Sequence, residues 1–460
     1  RHSSAKRKIE VNTTEIEQKL MNIPDASIFE ICQNFFINDP EPVAQSLKTM
    51  KKVLLEIRNG SNELTSRVYD IIVQTNSVAR LLLLLQGNIS EEAKTNIFFI
   101  LIDVSCGDAS QVNALFKANA VDLILPFLAD PTLCQEALFL LSNLAADNSR
   151  NRDIVFSKTR DLLRTGLGNM VVSPPPNLLS LILNFCSNAP PINISLFSEF
   201  INFMFEIVRG NDSKSITLVL QGFYGLIQSD EYFKYLLNPL LPVILKTVSS
   251  SNEELFTQTM FLATLIAEHS SETCGLLVSS GFVGAVSKML AIHKLTVDVA
   301  QFFRTILKGS DQTFAISFMG TELWKDIVAA IQEEHDKRTV LECGVLVVET
   351  ILSVDNDKAA RYVDDHMVFD GLSRLLTFVF DGGDVLVDLL LRFVEKVISI
   401  GDESRRMNSG NNWCIDMLEE SNCLGLIEGL LDRNDLSVET GEKLEEIVEL
   451  LCSDKSDDQD

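Results

Sequence analysis

The stretch from Gln135 to Val155, QEALFLLSNLAADNSRNRDIV, sets the tightest limit on the fold. Ala137, Leu138, Leu141, Leu144 and Ala145 recur at helical spacing, so one face of a helix belongs to a core. Phe139 and Asn143, one turn apart, point the other way together, with Asp147 a turn further along. Variants of this column return at intervals of about 40 residues, which turns one helix face into a repeated surface.

That period is the one expected of two- or three-helix armadillo or HEAT units. Units this short cannot bury their apolar faces alone, so neighbours supply the rest of the core and the third helices line one groove. The expected fold is all-α, an armadillo-repeat right-handed superhelical solenoid of about ten repeats. A chain of 460 residues exceeds one compact core, and no long Gly/Ser/Pro-rich or charged spacer interrupts it between residues 24 and 452. The expected organisation is a polar, partly basic arm over 1–24, the solenoid over 25–451 and an acidic tail over 452–460.

Charge and composition narrow the partners. The formal net charge of −25 argues against nucleic acid and for basic partners. No run of eighteen uncharged apolar residues is present, so no membrane span is expected. Nine cysteines, scattered through apolar patterns without a C-x-x-C pair, fit a reducing compartment. The five histidines, His2, His269, His293, His335 and His366, are isolated, and neither a phosphate-cradling glycine loop nor a nucleophile elbow occurs. The sequence is read as a non-enzyme with no cofactor and no metal.

In register, Asp103 of FFILIDVSCGD lies over Asn143 of LFLLSNLAAD and Asn184 of SLILNFCSN. The same helix in later repeats gives Gly225, Thr264, Thr305, Glu349 and Arg392. EALFLLSNLAADNSRNRDIV resembles the third armadillo repeat of the importin-α (karyopherin-α) family, and NLLSLILNFCSNAPP the repeat after it. NNWCIDMLEESNCLGLIEGLLDRND, residues 411 to 435, is similar to that family's last repeat, and FEICQNFFINDPEPVAQSLKTMKKVLL to the entry into its first.

The resemblance implies a nuclear import adaptor that shuttles between cytoplasm and nucleus. Its groove would bind the extended Lys/Arg-rich localisation signals of cargo proteins, its amino-terminal arm importin-β, and its last repeats the recycling exportin. The family's asparagines clamp the peptide backbone, since an amide both donates and accepts. Its tryptophans form slots for the long stems of Lys and Arg. Carried over, the asparagine column maps to Asp103, Asn143 and Asn184, and the tryptophan column to Phe99, Phe139 and Ser180. The acidic selector maps to Asp147 and the lysine-receiving turn to Gly107, with Val112 in place of a threonine. In the second groove the pairs map to Gln301 with Thr305 and to Val345 with Glu349, leaving neither ring nor amide. A bipartite signal should therefore gain little from its second cluster.

The arm departs as well, because only Arg1, Lys6, Arg7, Lys8 and Lys19 are basic. Either the chain starts inside the importin-β-binding segment, as a first residue other than Met suggests, or that binding is weakened. AKRK could still fold back into the groove.

Each of these residues also has a plainer reading. Phe99 and Phe139 could be core rings. Asn143 and Asn184 could be caps, Asp147 the N-cap of the helix holding Arg152 to Phe156, and Gly107 a helix terminator. At the level of function, the alternative is an armadillo scaffold that has lost localisation-signal binding.

Overall fold

The computed structural model describes residues 24–58, 62–332, 336–363, 366–379, 383–408 and 412–453. The arm over 1–24 falls outside them except for Pro24, and so does the acidic tail beyond Ser453. Every element among the described residues is an α-helix or a short 3-10 helix, as the periodicity requires. The chain forms two compact units, residues 1–234 and 235–460.

In the first unit one helix per repeat forms a ladder. Its members are α1 (Pro40–Ile57), α2 (Glu91–Ser105), α3 (Cys134–Ala146), α4 (Pro176–Cys186) and α5 (Ser213–Leu226), each packed on the next. The helices between them, such as Ala109–Lys117 and Ser149–Met170, back this ladder. α3 buries Ala137, Leu138, Leu140, Leu141, Leu144 and Ala145, the face marked by the sequence. Phe156, Phe185, Phe197 and Phe200 meet between the long helix Ser149–Met170, α4 and the helix Ile194–Arg209, with ring centroids 5.2 to 6.2 Å apart. Each such ring contributes about 1.5–3 kcal/mol by leaving water.

The second unit repeats the arrangement with α6 (Glu253–His269), α7 (Val297–Gly309), α8 (Lys337–Leu352), α9 (Asp384–Asn408) and α10 (Val438–Ser453). α6 packs on α7, α7 on α8, α8 on α9 and α9 on α10. The eight positions from Asp103 to Arg392 fall one on each of α2 to α9. The repeat is helical and armadillo-like, as expected.

Polar residues set where helices begin. Ser90, Asp108, Asn148 and Asp212 in the first unit, and Asn252, Ser270, Asp311 and Asp336 in the second, accept a backbone N–H of the first turn. Such caps satisfy donors that the helix itself leaves orphaned. A second signature marks the short turn before the middle helix of a repeat. Asn76, Asn119, Gly281 and Asn422 all have φ between 56° and 82°, a region that Asn and Gly tolerate best. They sit in TNSV, ANAV, SGFV and SNCL, a four-residue echo between distant repeats.

One buried cation organises the turn after α4. Arg152 is 1% exposed. It donates from Nη1 to the carbonyls of Ser187 (2.8 Å) and Asn188, and from Nη2 to that of Pro190 (2.6 Å), with Asp153 as counter-ion at 2.8 Å. Removing the guanidinium strands three carbonyls. Arg152→Met, which keeps most of the volume, is expected to destabilise the first unit by about 3 kcal/mol. Because repeats open locally, amide exchange should quicken around 183–190, and an unchanged urea midpoint would refute this account.

Candidate functional site

The ladder helices of the first unit position Phe99 and Asp103 on α2, Phe139 and Asn143 on α3, and Ser180 and Asn184 on α4. With packed helices about 8–10 Å apart, successive rungs stand about two to three residues of extended chain from one another.

The first rung departs from expectation. Asp103 faces inward at 2% exposure and is held by Arg58, the residue that follows α1. Arg58 Nε donates to Oδ1 at 3.0 Å and to Oδ2 at 3.3 Å, with a further contact from Nη2. The guanidinium carbon lies 4.5 Å from the centroid of Phe99, and Lys51 Nζ lies 5.3 Å from it while donating to Asn96 Oδ1 at 3.2 Å. Asp103 therefore does not await a peptide N–H. A buried carboxylate needs a countercharge, and α1 supplies it. Burial pushes the Asp103 carboxyl above its ordinary value while Arg58 pulls it partly back. The Arg58 guanidinium is pushed up, chiefly by its bond to Asp103.

The second and third rungs are open. Phe139 is 43% exposed and Asn143 half-buried. Asn143 Nδ2 donates to Ser105 Oγ at 2.9 Å and to Cys106 Sγ at 3.4 Å. Asn184 Nδ2 donates to the carbonyl and the hydroxyl of Ser142, at 2.8 and 2.9 Å. Both amides thus spend their protons on the preceding rung. Neither Oδ1 has a partner among the described residues, so the pair presents two fixed acceptors. Ser180 turns back to the carbonyl of Pro176 at 3.2 Å and offers no wall. At Gly225 on α5 a Cβ would come within 2.9 Å of the Cys186 carbonyl, so close packing excludes an amide there.

Asp147 is exposed and accepts from Asn151 Nδ2 at 2.7 Å and from Asn148 Nδ2. The N-cap of the following helix is Asn148, one residue later than the sequence reading placed it. Gly107 donates its N–H to Val104 O at 3.2 Å. It ends α2 without a positive φ. The absence of a side chain there makes room for Gln111, whose Oε1 would lie 2.8 Å from a Cβ. Val112 is buried.

In the second unit Gln301 and Glu349, two of the four residues mapped to the second groove, are held by charged neighbours. Gln301 Nε2 donates to Glu342 at 3.0 Å, and Arg304 makes two bonds to Glu349, at 2.6 and 2.8 Å. Lys308 lies 3.3 Å from the same carboxylate. Burial pushes Glu349 up, but Arg304 and Lys308 overcome it and leave the carboxyl below its ordinary value. Thr305 bonds to its own helix at Gln301 O. Sequence reasoning missed Arg58 and Arg304, although each stands 45 residues before its acid.

No group of three His, Cys, Asp or Glu among the described residues could hold a metal ion. His293 bonds to Ser250 O at 2.8 Å and stacks on Phe256 with centroids 4.4 Å apart, a packing role. No single helix among the described residues is long and apolar enough to cross a membrane.

No family model and no curated protein matches this sequence. Among solved structures the chain is similar to an engineered protein at a TM-score of 0.65 and 14% identity, covering 94% of this chain and 99% of the other. At that identity the likeness bears on the fold alone. A designed armadillo repeat protein aligns at a TM-score of 0.42 and 18% identity, over 51% of this chain and 98% of its own length. Another, solved in complex with the peptide (KR)4, aligns at 0.31 and 16%, over 61% of this chain and 98% of its own. The all-α repeat solenoid rests on the helices themselves and on the first of these.

The paired first rung gives a pH test. Arg58→Ala leaves Asp103 buried without a countercharge, which should raise its carboxyl further. A carboxyl whose folded pKa lies above the unfolded one supports folding while protonated, and that support is lost as pH rises through the folded value. Arg58→Ala should therefore cost about 2 kcal/mol at pH 7.5, less than a fully buried pair because Arg58 is partly exposed, and less again at pH 5. Arg58→Ala with Asp103→Asn should recover most of the loss in urea unfolding. An equal loss at both pH values would refute the pairing account.

Proposed function

We propose that the chain is a peptide-binding repeat scaffold that works as a nuclear import adaptor, taking an extended Lys/Arg-rich signal along α3 and α4. The observation that carries this reading is the pair of amides, Asn143 and Asn184, each locked by its Nδ2 and presenting its Oδ1. An extended chain has unpaired N–H groups that two such acceptors can take. Phe139, exposed on the same helix as Asn143, offers a face for an aliphatic stem and a cationic head, and Asp147 lies one turn beyond with a carboxylate. Within this reading importin-β engages the segment 1–24, the recycling exportin engages the repeats around 412–435, and the protein moves between cytoplasm and nucleus.

The ion pairs favour a second reading. Arg58 with Lys51, and Arg304 with Lys308, stand where a cationic ligand would otherwise meet Phe99, Asp103 and Glu349. A scaffold that has left classical signals behind would carry such pairs.

A titration separates the two. A fluorescent monopartite Lys-rich peptide should bind, and Asn143→Ala with Asn184→Ala should weaken it about 30-fold, the loss of two bonds of about 1 kcal/mol each. Circular dichroism must confirm that the double variant is folded. Adding an upstream basic cluster to the peptide should gain less than about tenfold. Binding indifferent to the double variant would leave the scaffold reading in its place.

A further inference from the structure

The first unit holds a cleft that belongs to neither rung. It has a volume of about 620 Å³, within the range of ligand-sized pockets, and lies between the helices Ala109–Lys117, Ala120–Ile124 and Ser149–Met170, none of them a ladder helix. Lys117, Arg150 and Lys158 line it together with Asn113 and Asn119. Phe116 and Ile154 supply apolar wall. No Asp or Glu is among its described lining residues.

That is an unusual lining for a chain of net charge −25. The first unit has 25 acidic and 21 basic residues, against 39 and 18 in the second, so the cleft sits in the unit whose charges nearly balance. Lys158 is paired with Asp122 outside the lining. Lys117 and Arg150 have no acidic partner among the described residues, and the side-chain amides of Asn113 and Asn119 are likewise uncommitted. Asn148 and Asn151, also at the wall, are taken up by Asp147 and by the cap of the long helix. Arg150 stands in the first turn of that 22-residue helix, which carries no acidic residue there. The helix dipole favours an anion at this end, so Arg150 and the dipole both act on the same side of the cleft.

We propose that this cleft binds an acidic segment of a partner protein, its carboxylate or phosphoserine groups set between Lys117, Arg150 and the amides of Asn113 and Asn119. The inference does not rest on the ladder reading, although Asn148 and Asn151 at the cleft wall also hold Asp147 of that proposed site.

The test uses the full chain and three fluorescein-labelled octapeptides of one sequence, carrying Asp/Glu, phosphoserine, or Asn/Gln at the same positions. The first two should bind at least about tenfold more tightly than the third. Lys117→Glu with Arg150→Glu should weaken them at least about tenfold and leave the basic peptide of the preceding section within about twofold, whereas Lys117→Arg with Arg150→Lys keeps acidic binding. Asn143→Ala with Asn184→Ala should leave acidic binding unchanged. If the charge reversal fails to fold, the exposed Arg150→Ala alone reads the same loss. Equal binding of the neutral octapeptide, indifference to both the charge reversal and Arg150→Ala, or saturation by inorganic phosphate with no octapeptide bound would each overturn the proposal.

Discussion

A helix whose apolar stripe is wider than its own repeat can cover must borrow its neighbour's, and that debt shapes both units. The side-chain bonds follow the same rule. Arg80 reaches Phe35 O, Gln86 reaches Leu123 O, Asn177 reaches Gln135 O and Tyr232 reaches Ile192 O, spans of 37 to 45 residues within the first unit. His293, Arg374 and Lys396 bridge 42 to 43 residues in the second. Each polar link ties one repeat to the next, and most end on a carbonyl at or just past a helix carboxyl end, Gln135 in the first turn of α3 and Ile192 ahead of the next helix being the others. Asn143 and Asn184 also bridge consecutive repeats, Asn143 to the side chains of Ser105 and Cys106 and Asn184 to Ser142. The bonds that aim these two amides therefore also hold adjacent repeats together.

Charge is handled by the same geometry. α1 ends in a cation that meets an acid on α2, and α7 carries cations that meet acids on α8. In each unit the pair lies between consecutive ladder helices, where partial burial makes a lone charge costly. These pairs neutralise the acids at those positions, and they leave α3 and α4 as the open stretch of the first ladder. The Lys117–Arg150 cleft lies off the ladder altogether, between helices that back it.

The period of the Phe139–Asn143 column was enough to read the all-α repeat, and the eight aligned positions do fall on consecutive ladder helices. Apolar spacing is a local property that survives without knowledge of neighbours. What lay beyond reading was direction across the interface. Asp103 shares its column with Asn143 and Asn184, yet its charge draws Arg58 across and turns it inward, while the neutral amides stay at the surface. Gly225 occupies the same column because α4 and α5 approach too closely for a side chain. The N-cap moved from Asp147 to Asn148 because two adjacent residues can both cap, and only backbone geometry decides. The turns TNSV, ANAV, SGFV and SNCL passed unread in the sequence, because only their shared φ sign gives the echo its meaning.

The orientation of the two locked amides has a consequence for sequence selection. With both Nδ2 protons committed to Ser105, Cys106 and Ser142, each rung can only accept. In the proposed function, a strand along α3 and α4 would have to bring a backbone N–H to each Oδ1, and proline has none. On the proposed reading, such a strand would be selected through its main chain before any side chain is consulted, with an imino acid excluded at two fixed places and tolerated between them.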